Sequence, residues 1–378
     1  MSALAAIPFT NVAISERSKE AAFQLIAGGQ IGSLGPTVAV LEDEIASAAG
    51  RKFGLAIQSE TAALHLILRS LNIPLGCLIA FPDFAPFEGV HALSYEHLSP
   101  IFIGCGPQSW TMSAEFLADA LEAHCDRVGA VVAADVFGEE CDRSALKKIC
   151  SRHNLPLIIH ADNRIRGVAR TSLSSLKGLA EIYSLSALTS EYASGAVVAS
   201  DDAEMLSRAR YLASAARMPE PHYEHIEIGY NYRLSAVTAA IAVGQLADIE
   251  WESSRRKSIF ECYVKGLVNI PKVEIMRPKP SGTYWDVIIW LANDLGCEPS
   301  GLVNYLGENG ISAQLMPQSL HSQSMFRGCH YFGGEATECR RARAVRLPSG
   351  SSLCEQDVDY VVECVAHWIA LQVPSATE

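Results

Sequence analysis

Between residues 53 and 160 short apolar runs alternate with segments of helical spacing, and this alternation narrows the possible folds more than any other feature. Residues 53–57, 78–81, 101–103, 130–136 and 155–160 read as strands, each an almost unbroken apolar run. The helix between the first two opens at Ser59-Glu60-Thr61, and segments 87–95, 114–124 and 143–153 separate the rest. Strands that are apolar throughout are covered on both faces, which predicts a mainly parallel sheet between two layers of helices. Ligands bind such sheets at the carboxyl ends of the strands. Ser59, Pro82, Asp135 and His160 fall at or near such ends.

The flanking segments complete the plan. An arm and one helix, 16–27, end at Gly28-Gly29. A second helix follows the Gly35-Pro36 break, with Val38, Leu41, Ile45 and Ala49 on one face. After residue 198 come a helix over 202–215, a polar stretch holding Pro219 and Pro221, and a long helix from Trp251 to about residue 268. Strands over 273–275 and 284–291 and helices over 299–309 and 356–372 then predict a smaller α+β domain. At 378 residues the chain is long enough for two domains. The expected organisation is an arm and helix over 1–34, a large domain over 35–250 and a small domain over 251–378.

A formal charge of −12 argues against nucleic acid or an anionic membrane as partner, since phosphate attraction needs clustered Lys and Arg. The cysteines number eleven, an odd count with no CxxC pair, and Cys150, Cys262 and Cys364 lie in apolar helical contexts. Reduced, buried thiols and a cytoplasmic location are the expectation. The opening MSALAAIPFTNV has no basic segment of a signal peptide, and no apolar run approaches the ~20 residues of a membrane span.

Several stretches resemble the DegT/DnrJ/StrS-type sugar aminotransferases. GSLGPTVAVLEDEIASAAG is similar to that family's entry loop and first helix, and SETAALHLILRSLNI to its SGTAALHLALRALGI. VFGEECD resembles the YGxPxD turn, YEHIEIGYNYRLSAVTAAIAVGQL the most recognisable stretch, and LPSGSSLCEQDVDYVVECV the C-terminal signature. The resemblance runs in order over almost the whole chain. It implies an α/β chain of aspartate-aminotransferase-like architecture (fold type I): a three-layer α/β/α large domain and a small C-terminal α+β domain. It also implies a homodimer, pyridoxal phosphate chemistry and a small-molecule substrate.

The cofactor positions depart from that pattern. The family's strand-loop-strand segment carries the lysine that binds pyridoxal phosphate covalently. Here residues 183–198 read YSLSALTSEYASGAVV and contain no lysine. That position falls between Ala187 and Thr189, and no histidine stands there either, as it does in some family members that dehydrate sugars. The aspartate that the family sets against the ring nitrogen falls on His160, with Asp162 two residues on. The ring-stacking aromatic falls on Pro86, with Phe87 adjacent. The glycine of the phosphate-holding SGTAA turn is Glu60, and two like charges at ~4 Å in an effective dielectric of ~20 repel by about 4 kcal/mol. The carboxylate suits the positive end of the helix and could occupy the anion site itself.

These departures predict no cofactor, with pyridoxal phosphate held without a covalent bond as the alternative. The candidate catalytic residues are His160, a titrating group near neutrality, with Glu60 as its partner, and Asp162. Candidate substrate- or anion-binding residues are Ser59, Thr61, Asn163, Arg164, Ser184, Thr189 and Asn231, the last reaching the partner subunit in the family. The alternative for this cluster is a lapsed pocket whose polar side chains satisfy one another. Asp83 and Glu88 read as surface loop charges. Three functions follow: an enzyme without covalent pyridoxal phosphate acting on a sugar-like or other small biosynthetic metabolite, a non-catalytic partner or regulator that pairs with an active paralogue, or an aminotransferase using a lysine from elsewhere.

Overall fold

The computed structural model describes residues 6–10, 13–32, 35–85, 87–161, 178–186, 188, 195–218, 222, 224–279 and 282–372. Two compact units are present. The larger comprises Ile14–Ile249 and Leu320–Gly333, and the smaller Met1–Ala13, Glu250–Ser319 and Gly334–Glu378.

In the larger unit the elements run α1 (Glu16–Ala27), α2 (Pro36–Ala48), β1 (Phe53–Ile57), α3 (Glu60–Ser70), β2 (Leu78–Pro82), α4 (Phe87–Tyr95), β3 (Ser99–Ile103), α5 (Ala114–His124), β4 (Val128–Asp135), α6 (Arg143–Arg152), β5 (Leu157–Ala161), β6 (Ala180–Ser184), β7 (Ala196–Ser200), α7 (Ala203–Ala213) and α8 (Ala236–Ala247). The helix α9 (Ile249–Leu267) leads into the smaller unit, which holds β8 (Val273–Ile275), β9 (Val287–Leu291), α10 (Pro299–Glu308) and β10 (Gln314–Leu315). The chain then returns to the larger unit for β11 (His330–Phe332), and the smaller unit is completed by α11 (Glu335–Arg341), β12 (Ala344–Leu347) and α12 (Glu355–Gln372).

The large sheet has the order β1-β7-β6-β5-β4-β2-β3-β11. Neighbours from β6 to β11 are parallel, and β7 runs antiparallel to both β1 and β6. Alternate side chains take opposite faces, as the two-residue period of a strand requires. Leu55, Ile57, Ile79, Phe81 and Ile182 pack with the apolar sides of α3, α4 and α7. On the other face Ala56, Tyr183 and Val197 meet α2 and α8, while Ile101, Val131 and Ile159 meet α5 and α6. Both faces are therefore dry, which is why these strands read as unbroken apolar runs. The smaller unit has a four-stranded antiparallel sheet, β10-β12-β9-β8, over a core that includes Tyr263, Ile289, Leu302 and Trp368. Among the described residues no helix is long and apolar enough to cross a membrane.

Two features hold the strand ends in place. The carboxylate of Asp135, at the end of β4, accepts from the Cys141 amide at 3.0 Å and from the Arg143 guanidinium at 2.8 Å. Arg143 also faces Glu181 of β6 at 3.3 Å, and Glu181 accepts from Arg51 at 3.0 Å. All four residues are buried. Burial alone would lower the Arg143 pKa, but the carboxylates of Asp135 and Glu181 more than reverse this and hold it firmly charged. At Gly244 of α8 a Cβ would stand 2.7 Å from Ser18 Cα, so α1 and α8 cross there at near-backbone contact. Ser18, fully buried, donates from Oγ to the Ile241 carbonyl at 3.0 Å.

Candidate active site

The carboxyl ends of β1, β5 and β6 carry the first group of site residues. Ser59 follows β1 and caps α3, its Oγ accepting from the Ala62 amide at 3.1 Å. Glu60 is the first residue of that helix, where the helix dipole favours an acid. His160 lies near the end of β5 and Ser184 closes β6. The three side chains meet. His160 Nε2–H donates to Glu60 Oε2 at 2.6 Å, and the Ser184 hydroxyl donates to Glu60 Oε1. Ser186 joins the same group, its Oγ lying 2.7 Å from that of Ser184.

His160 and Ser184 are buried and the Glu60 side chain is 20% exposed. Burial by itself would raise the Glu60 pKa. The charge of His160 and the hydrogen bonds from His160 and Ser184 outweigh it and hold the carboxyl below its ordinary range. The sequence paired Glu60 with His160, and the fold brings them within one hydrogen bond. Thr61 is half-buried in the first turn of α3, and Asn231 is exposed on the approach to α8. Asp162, Asn163, Arg164, Thr189 and Pro86 lie outside the described residues, as do the side chains of Phe87 and Glu88.

A second polar group sits at the end of β2, and the sequence reading missed it. Asp83, expected as a surface charge, is 1% exposed. Its carboxylate accepts from His321 Nδ1 at 2.8 and 2.9 Å and from the His321 amide at 3.0 Å. The Tyr331 ring stacks on His321 with centroids 3.9 Å apart. Asp83 and His321 are 238 residues apart, so no spacing signal could have joined them. The Asp at the end of a buried strand was the available hint, because a charge there needs a partner.

The donor set tests the family cofactor directly. The N-terminus of α3 and the hydroxyls of Thr61 and Ser184 suit the phosphate of pyridoxal phosphate. The Glu60 carboxylate, held on Ser184, does not suit it in this position. At the position that the resemblance assigns to the partner of the ring nitrogen, β5 carries His160, where a carboxylate would give a fixed counter-charge.

The model of the DegT/DnrJ/EryC1/StrS aminotransferase family matches residues 12–366. A Bacillus subtilis (strain 168) protein with the provisional name of a pyridoxal phosphate-dependent aminotransferase, EpsN, is 31% identical over 348 residues, 89% of each chain. The aminotransferase TlmJ of Streptoalloteichus hindustanus shares the fold, with a TM-score of 0.85 and 22% identity over 97% of this chain and 99% of its own. A GDP-4-keto-6-deoxymannose-3-dehydratase, solved with trapped PLP-glutamate, does so at 0.80 and 16% identity, covering 94% and 99%. These relatives overturn the expectation of no cofactor, since EpsN is named for dependence on pyridoxal phosphate and the dehydratase holds it in this fold. The departures at Glu60, His160 and 183–198 therefore do not by themselves exclude the group. By the extent of the match and by its close relative, the chain belongs to the DegT/DnrJ/EryC1/StrS aminotransferase family.

Proposed function

We propose that the protein is a sugar-aminotransferase-type enzyme that takes pyridoxal phosphate and acts on a sugar-like or other small biosynthetic metabolite. The observation that carries this reading is the family match over residues 12–366, together with the 31% identity to a relative named for pyridoxal phosphate. When bound, the cofactor supplies an electron sink next to the substrate. Thr61, Ser184 and the N-terminus of α3 would hold its phosphate. Asn231 would add to this from the partner subunit of a homodimer, an arrangement carried over from the family.

Residues 183–198 hold no lysine. We therefore read the cofactor as bound without a covalent bond to that segment, and ordinary transamination as lost. His160 is the acid–base group of this reading. Its Nε2 is fixed by Glu60, which orients the ring and stabilises its charged form. Asp162, two residues further on, is the second candidate.

The test is to equilibrate the purified protein with pyridoxal phosphate, measure binding by dialysis, reduce with borohydride and map adducts by mass spectrometry. Saturable binding with no pyridoxyl-lysine is expected. A stoichiometric adduct on a lysine in the cleft would overturn the non-covalent reading, and no binding at all would overturn the cofactor assignment. One observation favours a second reading, a non-catalytic partner of an active paralogue: Glu60, His160 and Ser184 satisfy one another. Turnover that survives His160→Ala would remove His160 from the mechanism.

A further inference from the structure

The first residue of α3, Glu60, is itself an anion. Its carboxylate takes the hydroxyl hydrogen of Ser184 and the Nε2 hydrogen of His160. A serine hydroxyl has one hydrogen to donate. While Ser184 gives it to Glu60, it cannot give it to a phosphate oxygen. Charge adds to this competition, because a phosphate at the helix N-terminus would stand near a carboxylate of the same sign. His160 offsets part of that repulsion, but its Nε2 hydrogen is also committed to Glu60.

We infer that Glu60 determines specificity at the phosphate end of the site, its carboxylate standing where a ligand phosphate would stand and yielding that place only by moving aside. The inference rests on the reading of this cleft as a pyridoxal phosphate site, and it names what the cofactor must displace. A ligand's phosphate competes with Glu60 for Ser184, whereas a ligand without phosphate does not. The side chain is one-fifth exposed, which leaves it a route toward solvent. Ser184 and Ser186 would then be released together, since their hydroxyls are hydrogen-bonded.

The experiment compares wild type, Glu60→Gln and Glu60→Gly, each checked for native circular dichroism. Three probes are used: pyridoxal phosphate, pyridoxal and inorganic phosphate. Binding is measured by equilibrium dialysis, and for phosphate also by phosphorus NMR. Both variants should bind pyridoxal phosphate and inorganic phosphate at least about tenfold more tightly than wild type, with pyridoxal changed by less than about twofold. Glu60→Gln keeps the length of the side chain, so it decides the matter if Glu60→Gly does not fold. Unchanged or weaker phosphate binding in the variants would overturn the inference, and so would an equal gain for pyridoxal. If no form binds pyridoxal phosphate, the cofactor assignment fails on its own. The inorganic phosphate arm still decides the role of Glu60, with tightening supporting it and no tightening overturning it.

Discussion

Arg143 stands between two buried carboxylates, Asp135 and Glu181, and satisfies charge that water cannot reach. Replacing it with methionine keeps much of the volume and strands that charge. Arg143→Met should therefore cost about 3–5 kcal/mol in a urea titration, the range for breaking one side of a buried ion pair. The Glu60 carboxyl gives a prediction with a pH sign. Its pKa is held below the ordinary range, so its contribution to stability is complete above that range and is lost as pH falls through the native value. Wild type should lose stability relative to Glu60→Gln on acidification below about pH 4.5. A reversed slope would mean that Glu60 is neutral in the native protein. The sequence made the Glu60–His160 pair legible, because both residues fall at strand ends that an α/β sheet brings to one edge. Asp83 was misread, since its partner is far along the chain and nothing in the intervening residues points to it.

At the scale of elements, α1 seats on α8 through one glycine. A methyl group at position 244 would meet the backbone of Ser18 at 2.7 and 2.8 Å, and backbone cannot swing aside as a side chain can. Gly244→Ala should lower stability by about 1–3 kcal/mol through overpacking, even though alanine is the better helix former. A differential scanning calorimetry trace that shows a gain instead would mean that α1 shifts freely on α8. Most elements were legible because their signals are local. Ser15 and Ser59 cap α1 and α3, and the apolar stripes of α5 and the run of β1 are continuous. The direction of β7 was not legible. A strand buried on both faces reads the same whether its neighbours run parallel or antiparallel, so residues 196–200 say "strand" and no more. β11 escaped for a different reason, because its three residues, His330–Phe332, are too short to show a period.

For the whole molecule, thiol chemistry offers a simple check on burial. Cys125, Cys339 and Cys354 are exposed, whereas Cys105, Cys141 and Cys150 are buried, and burial pushes the Cys150 thiol up to about 11. Iodoacetamide on the native protein should label the first three and leave the second three until denaturant is added, as read by peptide mass spectrometry. Early labelling of Cys150 would show that the α6 side of the sheet opens readily. The two units are also interleaved along the chain, with the larger taking back Leu320–Gly333 after most of the smaller has been traced. β11 pairs with β3, and in the same segment His321 supplies the partner of buried Asp83. On the ribosome, the sheet therefore keeps an open β3 edge, and Asp83 lacks its bonds from His321, until residues 320–333 have emerged. The nascent chain carries an unfinished sheet while residues 104–329 are made, and a chaperone that shields strand edges would be needed most during that interval.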